Sequence, residues 1–278
     1  MNQQQVKQRI KQVLSLIAPK AASTWQNVRQ RRHIQHFEQR MGLPELTQAF
    51  MTEHGQRVLS GPFTGMAYVT QARGSALMPK LLGSYEEELH EVIEKIVATD
   101  YAGVIDIGCA EGYYANGLAM RMPSTRIYAF DTDLSAQALC AEMARLNAVE
   151  ARVSVSGECR TDDLNTLIKK RTLIICDCEG FESEILRPDL VPAMARTDIL
   201  VELHDHVQPG ITPLLLRRFE DTHNATMITA AERDAACYSQ LHFSDPKQRQ
   251  LAISEFRPSG QQWAFLESKS FLPDSKKS

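Results

Sequence analysis

The chain has 278 residues, 43% apolar and 23% charged, enough for one large soluble domain or an ordinary domain with an appended segment. No apolar run approaches the roughly 18 residues of a membrane span, the N-terminus lacks the apolar stretch and small-residue cleavage site of a secretory signal, and the 6 cysteines show no C-x-x-C pairing. These features predict a cytoplasmic, reducing setting and no zinc site. Net charge is −3 but uneven: residues 1–42 set Lys7, Arg9, Lys11, Lys20, Arg29, Arg31, Arg32 and Arg40 against Glu38 alone, a net +7 that leaves −10 on the rest. A basic arm on an acidic body suits an anionic partner, nucleic acid or the inner face of a membrane, and equally a solvated helical face.

Val6, Ile10, Val13, Leu14 and Ile17 recur at helical spacing and predict an amphipathic helix over 5–18, stopping before Pro19. Further helices are expected over 24–40 and from Pro44 to His54, where Gly55 ends the last. Residues 1–57 therefore read as a helical, basic N-terminal extension. Val58 to Thr70, with Gly61, Pro62 and Gly65 among β-formers, reads as short strands or loop, and Glu86–Val97 returns to helix, with Ser84 available as its N-cap.

From Ala102 strands and helices alternate. Strands are expected at Gly103–Gly108, Arg126–Asp131, Arg152–Ser156, Thr172–Asp177, Thr197–His204, Thr226–Ala230 and Gln262–Glu267. Helices are expected at Glu111–Arg121, Ser135–Asn147, Thr161–Lys170, Phe181–Leu186 and Thr212–Thr222. The early strands are nearly continuous apolar runs, as in a parallel sheet covered on both faces. Alternation implies right-handed crossovers, hence an α/β fold with a doubly wound, mostly parallel seven-stranded sheet over 99–270 and a flexible tail at 271–278. The polar stretch 237–258 has no clear reading.

Ligands of such sheets bind outside the carboxyl ends of the strands. The strand ending Asp106-Ile107-Gly108 runs into Cys109-Ala110-Glu111-Gly112, which opens a helix. Glycines there let the backbone turn and a ligand approach, and the helix N-terminus suits a carboxylate such as that of methionine. A dinucleotide fingerprint would need glycine at 110 and 113, where alanine and tyrosine stand, and no P-loop sequence occurs. The second strand ends at Asp131, at the distance where an acid accepts hydrogen bonds from ribose hydroxyls, while Asp133 and Ser135 stand better placed to cap the next helix.

VIDIGCAEGYY (Val104–Tyr114) followed by YAFDTD (Tyr128–Asp133) resembles class I methyltransferases. LIICDCEGFESEIL (Leu173–Leu186) holds Asp177, Glu179, Gly180 and Glu182 in an Asp-x-Glu-Gly-x-Glu pattern, and with VELH (Val201–His204) it narrows the resemblance to the FkbM-type methyltransferases. The loop departs from the Gly-Ala-Asn-x-Gly common there, and the second strand ends Asp131-Thr132 rather than Glu-Pro. The resemblance implies S-adenosylmethionine as cofactor, lined by Asp106, Gly108, Ala110, Gly112, Asp131, Thr132 and Asp177, with Gly157 and Glu158 near the adenine. It also implies that 58–98 forms a lid or substrate wall, with Tyr85 and Glu86 in it, and that the acceptor is a hydroxyl of a sugar, glycan or natural product.

A hydroxyl acceptor must lose a proton. Glu202 and His204, two apart on one strand, share a side and stand beside Asp177 and Glu179. His204 is the expected base, because an imidazole titrates near neutral pH, and Glu179 its expected catalytic neighbour. Asp177, Glu179 and His204, with Glu182, Glu202 and Asp205, also form a set able to hold a divalent cation, a secondary expectation to an unaided mechanism. Crowded carboxylates otherwise raise one another's pKa or need basic partners. The alternatives are an RNA methyltransferase using the basic arm, against which the acidic core argues, and a non-catalytic cofactor-binding or membrane-associated module resting on residues 1–40.

Overall fold

The computed structural model describes residues 39–258 and 260–271. The expected helix at 5–18, nearly all of that at 24–40 and nearly all of the 271–278 tail lie outside the described residues. The chain divides into compact units Met1–Gln48 and Ala49–Ser278, and helix α1 (Leu43–His54) carries the backbone from one to the next. No described helix is long and apolar enough to cross a membrane.

All seven expected strands form: β1 (Gly103–Ile107), β2 (Arg126–Phe130), β3 (Val153–Ser156), β4 (Thr172–Cys176), β5 (Thr197–Leu203), β6 (His223–Thr229) and β7 (Gln262–Ser268). They make one sheet in the order β3-β2-β1-β4-β5-β7-β6, parallel except for β7, which runs antiparallel to both β5 and β6. The sheet is doubly wound and mostly parallel. β1, β4 and β5 are buried along their whole lengths, which explains their mostly apolar sequences, broken by the buried acids Asp106, Asp198 and Glu202. β6 is an edge strand with alternation too weak to mark its start, and it begins three residues ahead of the expected Thr226.

The connecting helices are α4 (Tyr113–Arg121), α5 (Leu134–Leu146), α6 (Thr161–Leu167), α7 (Glu182–Ile185) and α8 (Ile211–Phe219). Asp133 caps α5 by accepting from Ser135 N–H at 2.9 Å, as its position implied. The polar stretch before β7 holds a 3-10 turn (Ala235–Cys237) and helix α9 (Pro246–Ala252), started by Asp245 and Pro246.

The segment preceding the core differs from expectation in two places. Helix α2 (Leu77–Leu82) was not foreseen, and the expected helix from Glu86 is split into a 3-10 turn (Glu87–Leu89) and α3 (His90–Val97). Ser84 is not the cap. Its N–H serves the end of α2 by bonding Pro79 O, and Glu86 takes a left-handed φ of 48°. Val58–Thr70 is loop with a single bridge, Arg57 to Ala67.

This segment clamps the turn after β1. Glu111 is wholly buried and accepts from Tyr68 Oη at 2.7 Å, Arg73 N–H at 2.8 Å and Lys80 Nζ at 2.5 Å. Lys80 is equally buried, with its ammonium 4.6 Å from the Tyr85 ring centre and 5.8 Å from that of Tyr113. Taking one partner from a buried pair leaves an uncompensated charge, which typically costs about 3–5 kcal/mol. Lys80→Met is therefore expected to lower unfolding free energy by about 3–5 kcal/mol in urea titration, and adding Glu111→Gln to restore part of the loss.

Candidate active site

Parallel register sets the site's frame. Ile107 pairs with Phe130 and with Cys176, and Cys176 pairs with Val201, so the turns after β1, β2 and β4 leave the sheet beside the end of β5. Gly108 has φ +86°, and a Cβ there would stand 1.7 Å from the Asp177 carbonyl oxygen. Only glycine permits the β1 and β4 turns to approach this closely. Gly112, with φ +92°, begins α4, and a Cβ would meet Asn116 Nδ2 at 2.4 Å and Cys140 Sγ at 2.6 Å. Ala110 between them is also left-handed, at φ 48°.

Asp131 straps this turn to the second strand. Its Oδ2 accepts from Ala110 N–H at 2.9 Å and its Oδ1 from Asp133 N–H at 2.8 Å. Thr132 is exposed beside it. Gly157 and Glu158 are exposed after β3, where a Cβ on Gly157 would meet nothing within 4 Å. Asp106, inside β1, is 3% exposed, and its Oδ2 lacks a hydrogen-bond partner among the described residues. Burial first, then the charges of Asp177 and Asp131, push this carboxyl up to about 8 against an opposing hydrogen bond from the Ala115 backbone.

The β4 turn and the end of β5 form the facing wall. Glu179 (φ +55°) and Gly180 (φ +94°) are both left-handed, a reversal that folds the Asp-x-Glu-Gly-x-Glu run back on itself. Glu182 becomes wholly buried and accepts from Cys178 N–H at 3.2 Å and Gly180 N–H at 3.1 Å. The same oxygen lies 2.8 Å from His204 Nδ1, which fixes the imidazole. His204 Nε2 then faces Asp177 at 3.6 Å and Glu179 and Glu202 at 3.8 Å each. Burial lowers the His204 pKa, but the Glu182 hydrogen bond and the charges of Asp177, Glu182 and Glu202 outweigh it and raise it to about 10. The ring is therefore an imidazolium at neutral pH, not the near-neutral titrating group that the residue type alone implied.

Sequence reasoning missed Arg257. It comes from the uninterpreted polar stretch and pairs with Glu86 and Glu202, with Glu255 at 2.7 Å and with the Tyr85 hydroxyl at 2.8 Å. Its guanidinium also lies 5.2 Å from the ring centres of Tyr85 and Trp263. Tyr114 donates to Glu86, tying the segment before the core to α4. The one available signal was the acidity of the site, which demanded a cation from elsewhere in the chain.

Donor atoms of Asp177, Glu202 and His204 lie within 4.8 Å of one another, close enough for a metal ion. All three belong to the larger set expected from the sequence, of which Glu179 lies outside this cluster. A cation there would compete with Arg257 and with the His204 proton, which already supply positive charge.

No protein-family model and no curated protein matches the chain. Among solved structures it is similar to a human methyltransferase 10 domain containing protein, at 12% identity and TM-score 0.47 over 81% of this chain and 97% of that one. It is similar to the O-methyltransferase TomG of Streptomyces achromogenes, solved with S-adenosylmethionine, at 15% identity and TM-score 0.45 over 68% and 83%. A Streptococcus thermophilus rRNA methylase matches at 11% identity and TM-score 0.45 over 65% and 96%. At such low scores and identities these likenesses carry no weight toward a reaction or substrate.

The Asp106 carboxyl gives a pH test. Its proton is held more tightly in the folded chain than in the unfolded one, so its contribution to stability falls as pH rises from its ordinary 3.8 through about 8. Asp106→Asn is expected to remove that part of the decline, so the Tm of the variant in ligand-free protein overtakes the wild type's as pH passes through this window.

Proposed function

We propose that the chain is an S-adenosylmethionine-dependent O-methyltransferase of FkbM type, acting on a hydroxyl of a small-molecule or glycan acceptor. The observation that carries this reading is the orphaned Asp106 oxygen beneath the glycine turn, together with a His204 held among carboxylates at the end of β5. The residues fit the cofactor: Gly108 and Gly112 keep the turn tight, the first amides of α4 suit a carboxylate, Asp106 suits an ammonium, and Asp131 suits ribose hydroxyls. Open space at Gly157 beside exposed Glu158 leaves room for a flat base. A NAD-type dinucleotide remains disfavoured, because Tyr113 is buried against Phe63 and Tyr85 at centroid distances of 5.1 and 5.2 Å, where close helix packing would need glycine.

When bound, the cofactor supplies an electrophilic methyl on sulfur, open to direct displacement. The protein's own contribution is alignment and proton removal. Alignment of reacting groups is worth up to about 7–11 kcal/mol, and a placed base roughly 10²–10⁴-fold. Glu179, 38% exposed, is placed to accept the acceptor's hydroxyl hydrogen bond, and His204 Nε2 behind it is the base once neutral. Glu182 keeps Nδ1 occupied, so proton exchange is confined to Nε2.

Calorimetry with S-adenosylhomocysteine tests the cofactor site. Wild-type protein is expected to bind it and Asp131→Ala to bind at least about tenfold more weakly, the scale of a lost charge-assisted hydrogen bond. Failure of the wild type to bind, or unchanged affinity in the variant, overturns the reading. For the base, His204→Ala is expected to cost at least about tenfold in turnover with cofactor affinity unchanged. Because neutral imidazole is needed, turnover should climb with pH and level off only near 10, and a flat profile would remove His204 from the role.

A further inference from the structure

A second group of ligating side chains lies away from the cleft. The last turn of α1 and the loop before α9 bring Glu53, His54 and His242 together, with one donor atom from each within 4.8 Å of the others. His242 Nδ1 lies 2.6 Å from Glu53 Oε1, and His54 Nε2 lies 3.8 Å from Glu53 Oε2. His54 Nε2 also points at the Gln240 carbonyl oxygen, 3.2 Å away. The two imidazole rings are tilted, with centroids 5.7 Å apart.

We propose that Glu53, His54 and His242 bind a divalent transition-metal ion of the zinc type. Cysteine spacing predicts no zinc site, but two imidazoles and a carboxylate form a donor set that needs no thiolate. Nitrogen-rich sets of this kind favour zinc, nickel or copper over magnesium or calcium, which prefer all-oxygen surroundings. The Gln240 carbonyl or a water completes four-coordination.

Binding at metal–ligand distances of about 2.0–2.2 Å requires the Glu53–His242 hydrogen bond to open, so that the ion replaces the shared proton. His54 is the anchor, because its ring packs on Phe50 at a centroid distance of 4.6 Å, and on metal binding its Nε2 gives up the proton that it donates to the Gln240 carbonyl. Glu53 and His242 have side chains 51% and 61% exposed and can rotate inward. Residues 189 positions apart would thereby be clipped together. As an ordinary surface ion pair the Glu53–His242 contact adds little stability, so a metal would change how firmly this loop is held. The loop leads through α9 to Glu255 and Arg257, which links the clip to the segment that completes the cleft.

Zinc uptake by the full chain, read by equilibrium dialysis at neutral pH, tests the site independently of methyl transfer. Wild-type protein should hold one more equivalent of Zn²⁺ than His242→Ala, and zinc should raise the Tm of the wild type but not of that variant. His54→Gln, which keeps a donor for the Gln240 carbonyl but no imidazole, should weaken uptake by at least the roughly 10–100-fold that loss of a mere supporting contact costs. Mg²⁺ should do neither. Equal zinc stoichiometry and affinity in wild type and His242→Ala, with circular dichroism showing both folded, would overturn the proposal, as would zinc uptake lost only when Asp177 is changed.

Discussion

Carboxylates crowded at one end of a buried sheet repel one another, and most of this molecule's organisation around the cleft offsets that repulsion. Asp106, Asp177, Glu182, Glu202, Glu86 and Glu255 all sit where water is scarce or partly excluded, and each raises the cost of ionising its neighbours. Three positive groups answer them, Arg233 by pairing with Glu255 and Glu88. Arg257 bridges Glu86, Glu202 and Glu255, and His204 accepts a proton that Glu182, Asp177 and Glu202 hold in place. The segment before the core, the β5 end and the polar stretch before β7 are tied into one wall by these contacts and by those of Arg233, since none of the three is adjacent in sequence. Asp106 has an unpartnered Oδ2 among the described residues and a pKa raised first by burial and then by Asp177 and Asp131.

The other constraint is close backbone approach. Gly108 lets the β1 turn lie against Asp177, and Asp131 then ties that turn to the second strand. Glu111 fastens it from outside through Lys80, Tyr68 and the Arg73 amide, so the turn is held on three sides before any ligand arrives. Such preorganisation reduces the ordering cost of binding. It also explains why the segment before the core is packed rather than loose: it supplies the buried cation on which the turn depends.

The strands were legible because their burial is nearly uniform. Where both faces of β1, β4 and β5 are covered, most positions are apolar, and the pattern survives without an alignment despite the acids at the site. The glycine turn and Asp131 were legible because close approach and an acid at a fixed distance leave few substitutes. Helix α2 was not, since six residues of Leu-Met-Pro-Lys-Leu-Leu are too short to show a period, and Lys80 among them carries no sign that it is buried. Nor was the split of the expected Glu86 helix, because Glu86 is bent into a left-handed conformation by partners at Arg257 and Glu255 that lie far along the chain.

What the sequence determined by itself was the sheet, the order of its strands and helices, and the set of acidic and histidine side chains at their ends, all properties written in local periodicity and spacing. Tertiary structure alone decided how those side chains are charged. Whether His204 is a neutral base or an imidazolium depends on the four carboxylates placed around it, and whether Glu202 is free or paired depends on Arg257 arriving from 55 residues away. Electrostatic energy follows distance in space and burial, and neither is encoded by position along the chain.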